Sequence, residues 1–180
     1  MLRLKDLMNP NVVSVAPDLT LRELMEVFTE QEVSGAPVVS GGVVVGVISM
    51  TDVFQFQEDA PEITLQPGAA PDEGNGAPAR KAGSTTEYFA EAQEPGEIEA
   101  FQWMKASRDE DWSLLDEYTV ADVMTRDVMS QTSDTPVQAA ARYMLEHQIH
   151  RVLVVDDGQV KGIVTTTDIV RAVADGALGG

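Results

Sequence analysis

The 180-residue chain contains no cysteine, which excludes a disulfide framework, a thiolate zinc site and a cysteine nucleophile. Basic residues are few: twelve Lys and Arg stand against thirty Asp and Glu, for a net charge of -18. A field of that sign repels nucleic acid and anionic lipid, so neither is an expected partner. No apolar run approaches the ~18 residues needed to span a bilayer, and Met1 to Asn9 has no apolar leader core. The expectation is a cytoplasmic protein with no membrane insertion. The two histidines, His147 and His150, lie three apart near a helix end, but without a further defined ligand they do not make a metal site. The Gly-x-Ser-x-Gly elbow, the Walker-type loop and the zincin pattern are also absent. Without a nucleophile or an oriented acid-base pair, the chain is not expected to be an enzyme.

The charge is unevenly spread. Residues 57–118 hold fifteen acids and four bases, net -11, against -4 for residues 1–56 and -3 for residues 119–180. Lysine scarcity is compatible with a high-salt cytoplasm, but a solvated acidic linker accounts for it without that premise.

The flanking segments are copies of each other. Sliding the chain by 116 positions aligns Leu4–Phe54 with Val120–Val170 without a gap. Asp6, Met8, Val12, Ser14, Asp18, Glu30, Val38, Val39, Gly42, Val44, Gly46, Thr51 and Asp52 then meet identical residues. Two copies are too few for a solenoid, so they are expected to pack on each other as one unit made from residues 1–56 and 119–178.

Each copy reads as lead-in helix, strand, helix, strand, strand, helix. In the first, Arg3–Met8 leads in, Asn9-Pro10-Asn11 breaks the helix, and Val12–Val15 predicts a strand. Thr20-Leu21-Arg22-Glu23 has the capping-box form, and Leu21, Leu24, Met25 and Phe28 recur on one face of a helix running to about Gln31. Val33–Pro37 is expected to turn the chain. Val38-Val39 and Val43–Met50, split by Gly41-Gly42, predict a hairpin, with a helix from about Thr51. The second copy predicts a lead-in at Val120–Met124, a strand at Val128–Ser130 and a helix at Pro136–His147. A hairpin of Val152–Val155 with Val160–Thr165 and a helix at Asp168–Ala174 complete it. Met8 and Met124 are expected to plug the core.

Both copies end alike, as Gly46-Val47-Ile48-Ser49-Met50-Thr51-Asp52 and Gly162-Ile163-Val164-Thr165-Thr166-Thr167-Asp168. Hydroxyls and an acid thus collect where a strand's C-terminal edge meets a helix N-terminus, a place where α/β structures often hold small anionic ligands. The same acids also stabilise a helix start with no ligand at all, and both readings are open. Between the copies, Gln57–Glu97 is rich in Pro, Gly, Ala and Glu, and predicts a mobile stretch. Ile98, Phe101, Met104, Leu114, Leu115 and Tyr118 then predict an ordered, docked helical segment. Trp103 and Trp112 in it either cover an edge of the repeats or form a docking surface or lid.

In element order, in the lead-ins Asp6-Leu7-Met8 and Asp122-Val123-Met124, in the Pro37-Val38-Val39 and Leu153-Val154-Val155 strands and in the doubled ending, the chain resembles the CBS domain family. The family is named for the module in cystathionine β-synthase, and its tandem arrangement is called a Bateman module. The resemblance covers about two thirds of the chain and implies an α/β (α+β) fold of tandem β-α-β-β-α repeats packed with pseudo-twofold symmetry. It also implies a homodimer of such pairs, with clefts that bind an adenosine nucleotide (AMP, ADP or ATP) or S-adenosylmethionine and so regulate an unidentified partner protein. Asp52 and Asp168 match the family's ribose-binding acid, whose carboxylate accepts from two neighbouring hydroxyls. Ser49, Thr51, Thr165 and Thr167 can donate to phosphate oxygens. His150 and Arg151 stand before the second copy's central strand where the first has Ser34 and Gly35, so Arg151 can supply a cation to a phosphate. With Val12 and Val13 lining the base, the cleft around Asp168 is the one expected to favour phosphorylated ligands. Two alternatives stay open: pairing of Arg151 with a neighbouring carboxylate, and a structural dimerisation scaffold whose clefts stay empty in place of a sensor. The acidic insert departs from the family's usual short linker.

Overall fold

The computed structural model describes residues 1–59 and 113–177. The first repeat comprises α1 (Leu4–Leu7), α2 (Leu21–Glu30), β1 (Gly35–Ser40), β2 (Val43–Ser49) and α3 (Met50–Asp59). After a short α4 (Ser113–Glu117), the second comprises α5 (Val120–Val123), β3 (Ser130–Gln131), α6 (Val137–His147), β4 (Arg151–Asp156), β5 (Gln159–Thr165) and α7 (Thr166–Ala174).

Local chemistry sets these elements. Thr20 N–H donates to Glu23 Oε2 at 2.9 Å and Glu23 N–H to Thr20 Oγ1 at 3.2 Å, closing the expected capping box on α2. The helix buries Leu21, Leu24, Met25 and Phe28, the four residues its periodicity selects. The hairpins turn on Gly41-Gly42 and Asp157-Gly158, all at positive φ, as a two-residue turn matching strand twist requires. In both, a bulge falls at equivalent positions, after Val38 and after Val154.

Cross-repeat hydrogen bonds occur in reciprocal pairs under the offset of 116. Leu4 N–H donates to Thr135 C=O at 3.0 Å, and Val120 N–H to Leu19 C=O at 2.8 Å. Asn9 and Ile163 exchange both backbone bonds at 2.9 and 3.0 Å, and Thr125 and Val47 do the same at 2.9 and 2.8 Å. This reciprocity is the signature of a pseudo-twofold axis. It also crosses the cores. Leu4 is wholly buried among Val137, Ala140, Met144 and Leu153 of the second repeat, while Val120, Val123 and Met124 are buried among Leu21, Phe28 and Ile48 of the first. Each lead-in therefore completes the other copy's core. Asp6 and Asp122 cap their lead-ins by accepting from the N–H groups of Arg3 at 2.9 Å and Thr119 at 2.8 Å.

The structure corrects four local expectations. The strand expected at Val12–Val15 shrinks to a single parallel bridge, Val15 to Val38, while its counterpart is the two-residue β3, which starts two residues later than Val128–Ser130 predicts and ends one later. Proline explains the difference between the copies: Leu153 N–H reaches Met129 C=O at 3.2 Å, and the equivalent position is Pro37, which has no N–H to give. The turn expected at Val33–Pro37 ends early, because β1 already starts at Gly35. Pro37 costs the β1–β2 ladder nothing, since it faces Val47, whose N–H and C=O are turned to Thr125. Finally, Pro136 is the N-cap of α6, with ψ 139°, rather than its first helical residue.

Of the docked segment expected at Ile98–Tyr118, only the end lies within the described residues. Leu115 is buried in the first core, Tyr118 meets Phe56 edge-on with ring centroids 4.8 Å apart, and Arg22 clamps Asp116 through Nε and through Nη2, the latter at 2.6 Å from Oδ2. That hydrogen-bonded guanidinium holds the Asp116 carboxyl below the usual carboxylate range. On the opposite side, Lys5 and Arg3 reach Asp134 at 2.8 and 3.1 Å and hold its carboxyl low in the same way. Trp103, Trp112 and the expected mobile stretch beyond Asp59 lie outside the described residues, while residues 57–59, expected to begin that stretch, instead continue α3.

Met8 and Met124 do plug the interface, each over a glycine of the other copy. A Cβ on Gly46 would stand 2.8 Å from Met124 Sδ and from Thr125 C=O, and one on Gly162 would stand 2.9 Å from Met8 Sδ and Asn9 C=O. Backbone oxygens cannot swing aside as a side chain can, so Gly46→Ala and Gly162→Ala are each expected to cost about 1–3 kcal/mol, the range for overpacking. Urea unfolding checks this, and a loss near zero in both variants contradicts the tight crossing.

Candidate functional site: two unequal strand-to-helix edges

The doubled ending places its acid on the first turn of α3 and of α7. At the first edge, Asp52 Oδ2 accepts from Ser49 N–H and Ser49 Oγ, both at 2.8 Å, and Asp52 N–H donates to Ser49 Oγ at 3.3 Å. At the second, Asp168 Oδ2 accepts from Thr165 N–H at 2.8 Å and Thr165 Oγ1 at 2.7 Å, with the return bond again 3.3 Å. Both are capping boxes in which one carboxylate oxygen serves the helix start. At the second edge Oδ1 is the carboxylate oxygen that Thr165 leaves unused.

The edges differ in access. Ser49 and Asp52 are 2% and 4% exposed, whereas the Asp168 side chain keeps 24% of its surface open, Thr165 is half-buried and Thr167 exposed. Thr51, the counterpart of Thr167, is half-buried. The strand register also separates them: Arg151 lies directly across the ladder from Thr165, and Gly35 occupies the matching place across from Ser49. Facing residues of an antiparallel pair point to one side of the sheet, so Arg151 shares a face with Thr165. The backbone of His150 ties the hairpin to the helix start by accepting from Thr166 N–H at 2.9 Å, as Ser34 does for Met50 at 2.8 Å.

Val12 follows the Asn9–Ile163 pairing and packs against the second core, so a first-copy residue lies beside the strand that ends at Thr165. Val13 is half-buried next to it. The second edge thus has Arg151, Thr165 and Asp168 at one strand-to-helix junction, and Val12 of the other repeat packs on the same core. Sequence reasoning missed Arg171, whose Nη1 stands 3.9 Å from Asp168 Oδ1. The available signal was the offset, which places Gln55 at the corresponding position of the first copy.

A surface groove of about 620 Å³ on α6, lined by Met1, Gln131, Arg142, Tyr143 and Glu146 among others, contains none of the expected site residues. It lies on the side of α6 that corresponds to the α2 surface where Arg22 receives Asp116, Gln138 taking the place of Arg22. The two strand-to-helix edges lie elsewhere and differ in access and in charge.

The chain belongs to the CBS domain family: that domain matches residues 4–59 and again residues 120–175, giving a pair. Among relatives, the uncharacterized protein MJ1426 of Methanocaldococcus jannaschii is 30% identical over 175 residues, covering 94% of this chain and 89% of that one. The chain spans only 36% of the length of a second relative from the same organism. Its fold matches the CBS domain pair of protein MJ0100, solved with 5'-methylthioadenosine and S-adenosyl-L-methionine, at a TM-score of 0.58 and 19% identity over 98% of both chains. It also matches CBSX2 from Arabidopsis thaliana, solved with AMP, at a TM-score of 0.60 and 22% identity, over 98% of this chain and 99% of that one.

The capping geometry makes a prediction that needs no ligand. Replacing Asp168 by Ala removes an accessible cap, about 1 kcal/mol. Replacing Asp52 by Ala strands the buried Ser49 N–H and hydroxyl, about 1–3 kcal/mol, and so is expected to be the more destabilising change. Chemical denaturation of the two variants without additives measures the order, and the reverse order contradicts the burial difference.

Proposed function

We propose that this CBS pair is a non-catalytic regulatory module whose second cleft binds a phosphorylated adenosine ligand and passes the ligand state to a partner protein. The observation that carries the reading is the inequality of the two edges: the Asp168 side chain is partly open, with Arg151 across the ladder from its Thr165, while Asp52 is buried and its Ser49 has Gly35 across the ladder. Asp168 Oδ1 accepts from the ribose hydroxyls, Arg151 meets the phosphate, and Val12 and Val13 cover the base. A phosphate near a chain of net charge -18 is repelled at long range, so a local cation and the α7 N-terminus must outweigh a screened field. Ligands seen in MJ0100 and CBSX2 support the adenosyl class.

Transmission follows from the crossed architecture. A ligand held by Val12 on one side and by Thr165 and Asp168 on the other bridges segments from both repeats, and stabilises the packing in which they lie close. A ligand shifts such an equilibrium only by its differential affinity for the two arrangements.

The test is calorimetric titration with AMP, ADP, ATP and S-adenosylmethionine. Arg151→Ala is expected to weaken AMP roughly tenfold to a hundredfold, the value of a charge-assisted hydrogen bond. Asp168→Ala is expected to abolish the ribose contacts, and Asp52→Ala to change affinity less. Equal binding by wild type and Asp168→Ala, with loss in Asp52→Ala, inverts the assignment. The scaffold reading is favoured by one observation, that both acids already serve capping boxes, and it gains if no adenosyl ligand binds.

Assembly as a homodimer belongs to the same reading. The exposed apolar side chains Leu145, Val170 and Val173 lie on the neighbouring helices α6 and α7. At the matching sites of α2 and α3 stand Thr29, Phe54 and Gln57, so the patch belongs to the second copy. Isologous contact through α6 and α7 covers the patch. Sedimentation at micromolar concentration is expected to give a dimer, and a monomer there counts against it.

A further inference from the structure

We infer that Arg171 is a specificity-determining residue of the second cleft, one that selects adenosyl ligands carrying phosphate over those carrying a sulfonium cation. The inference rests on the ligand reading above and goes beyond it by naming the residue that sorts the ligands. Arg171 lies one turn after Asp168 on α7, and its side chain is 70% exposed. Its single recorded ion pair among the described residues is to Asp168 at 3.9 Å, beyond hydrogen-bond reach, so its guanidinium donors are not committed there. It approaches Oδ1, the oxygen that Thr165 does not use.

The remaining cations nearby show why this one matters. Among the described residues, Arg3 and Lys5 are engaged with Asp134, and Arg22 with Asp116. Arg151 and Arg171 flank the second edge from β4 and from α7, whereas the first copy has Gly35 and Gln55 at those positions. Arg171 thus adds a second cationic side chain to the edge that already has Arg151 opposite Thr165, in a chain that is otherwise acidic. A planar guanidinium fits phosphate oxygens through paired N–H groups, and the same charge repels the sulfonium centre of S-adenosylmethionine. The plain alternative is a cation placed in the last turn of α7 to complement the helix dipole, with a surface ion pair of little value to Asp168. That alternative makes Arg171 indifferent to ligand charge, which separates the two accounts.

The experiment is calorimetric titration of the full chain, wild type, Arg171→Gln and Arg171→Lys, with adenosine, AMP and S-adenosylmethionine. Glutamine is the first copy's own residue, and an exposed position tolerates it, as a melting curve will verify. Arg171→Gln is expected to weaken AMP about tenfold, to leave adenosine within twofold, and to narrow the preference for AMP over S-adenosylmethionine; Arg171→Lys is expected to keep most of that preference. Equal weakening of adenosine and AMP overturns the inference, since Arg171 then acts only through Asp168. AMP binding that is unchanged in Arg171→Gln but lost in Asp168→Ala overturns it while the ligand reading stands. Absence of binding to all three ligands by wild type overturns both.

Discussion

The exchange of lead-in segments across the pseudo-twofold axis is the constraint on which the rest of the structure depends. Asn9 with Ile163 and Thr125 with Val47 are backbone pairings, so they fix where each strand lies relative to the other repeat whatever the side chains are. Directly before each pairing residue, within β2 and β5, stands Gly46 or Gly162, with a methionine thioether of the other copy where a Cβ would be. Strand ends held in this way carry Ser49 and Thr165 to the helix starts at Asp52 and Asp168. Val12 reaches the second edge only because Asn9 is already bound there.

The repeat was legible because identity at one offset needs no knowledge of contacts, and the helices were legible because their apolar spacing and capping residues act locally. The crossing was not legible. Periodicity in Leu4 or Val120 shows that a face is buried but not which half of the molecule buries it. The missing first strand was half legible: Pro37 is visible in the sequence, but the carbonyl it leaves without a donor is identified only by the parallel register to Val15. Chemical inequality between the edges could be read from Arg151 against Gly35. The difference in burial between Asp52 and Asp168 could not, because it depends on what surrounds each edge in three dimensions.

Electrostatically the chain is an acidic body in which cations are deployed at a few places. Arg22 fastens α4 to the first repeat and the Arg3–Lys5 pair fastens the first lead-in to the second repeat, each by exposed ion pairs that salt weakens. Arg151 and Arg171 border the open carboxylate. The division leaves the first repeat with a buried edge and the second with a more accessible one.

A lead-in that completes only the opposite core has a consequence for descent. Cut free, neither repeat would be whole: its core would lack a helix, and its glycine would face water where a thioether belongs. Two identical single-repeat chains, however, would satisfy one another by the same reciprocal bonds. The fold is therefore a domain-swapped dimer joined into one polypeptide, and duplication with fusion is a route that would make its association independent of concentration while freeing the two halves to diverge.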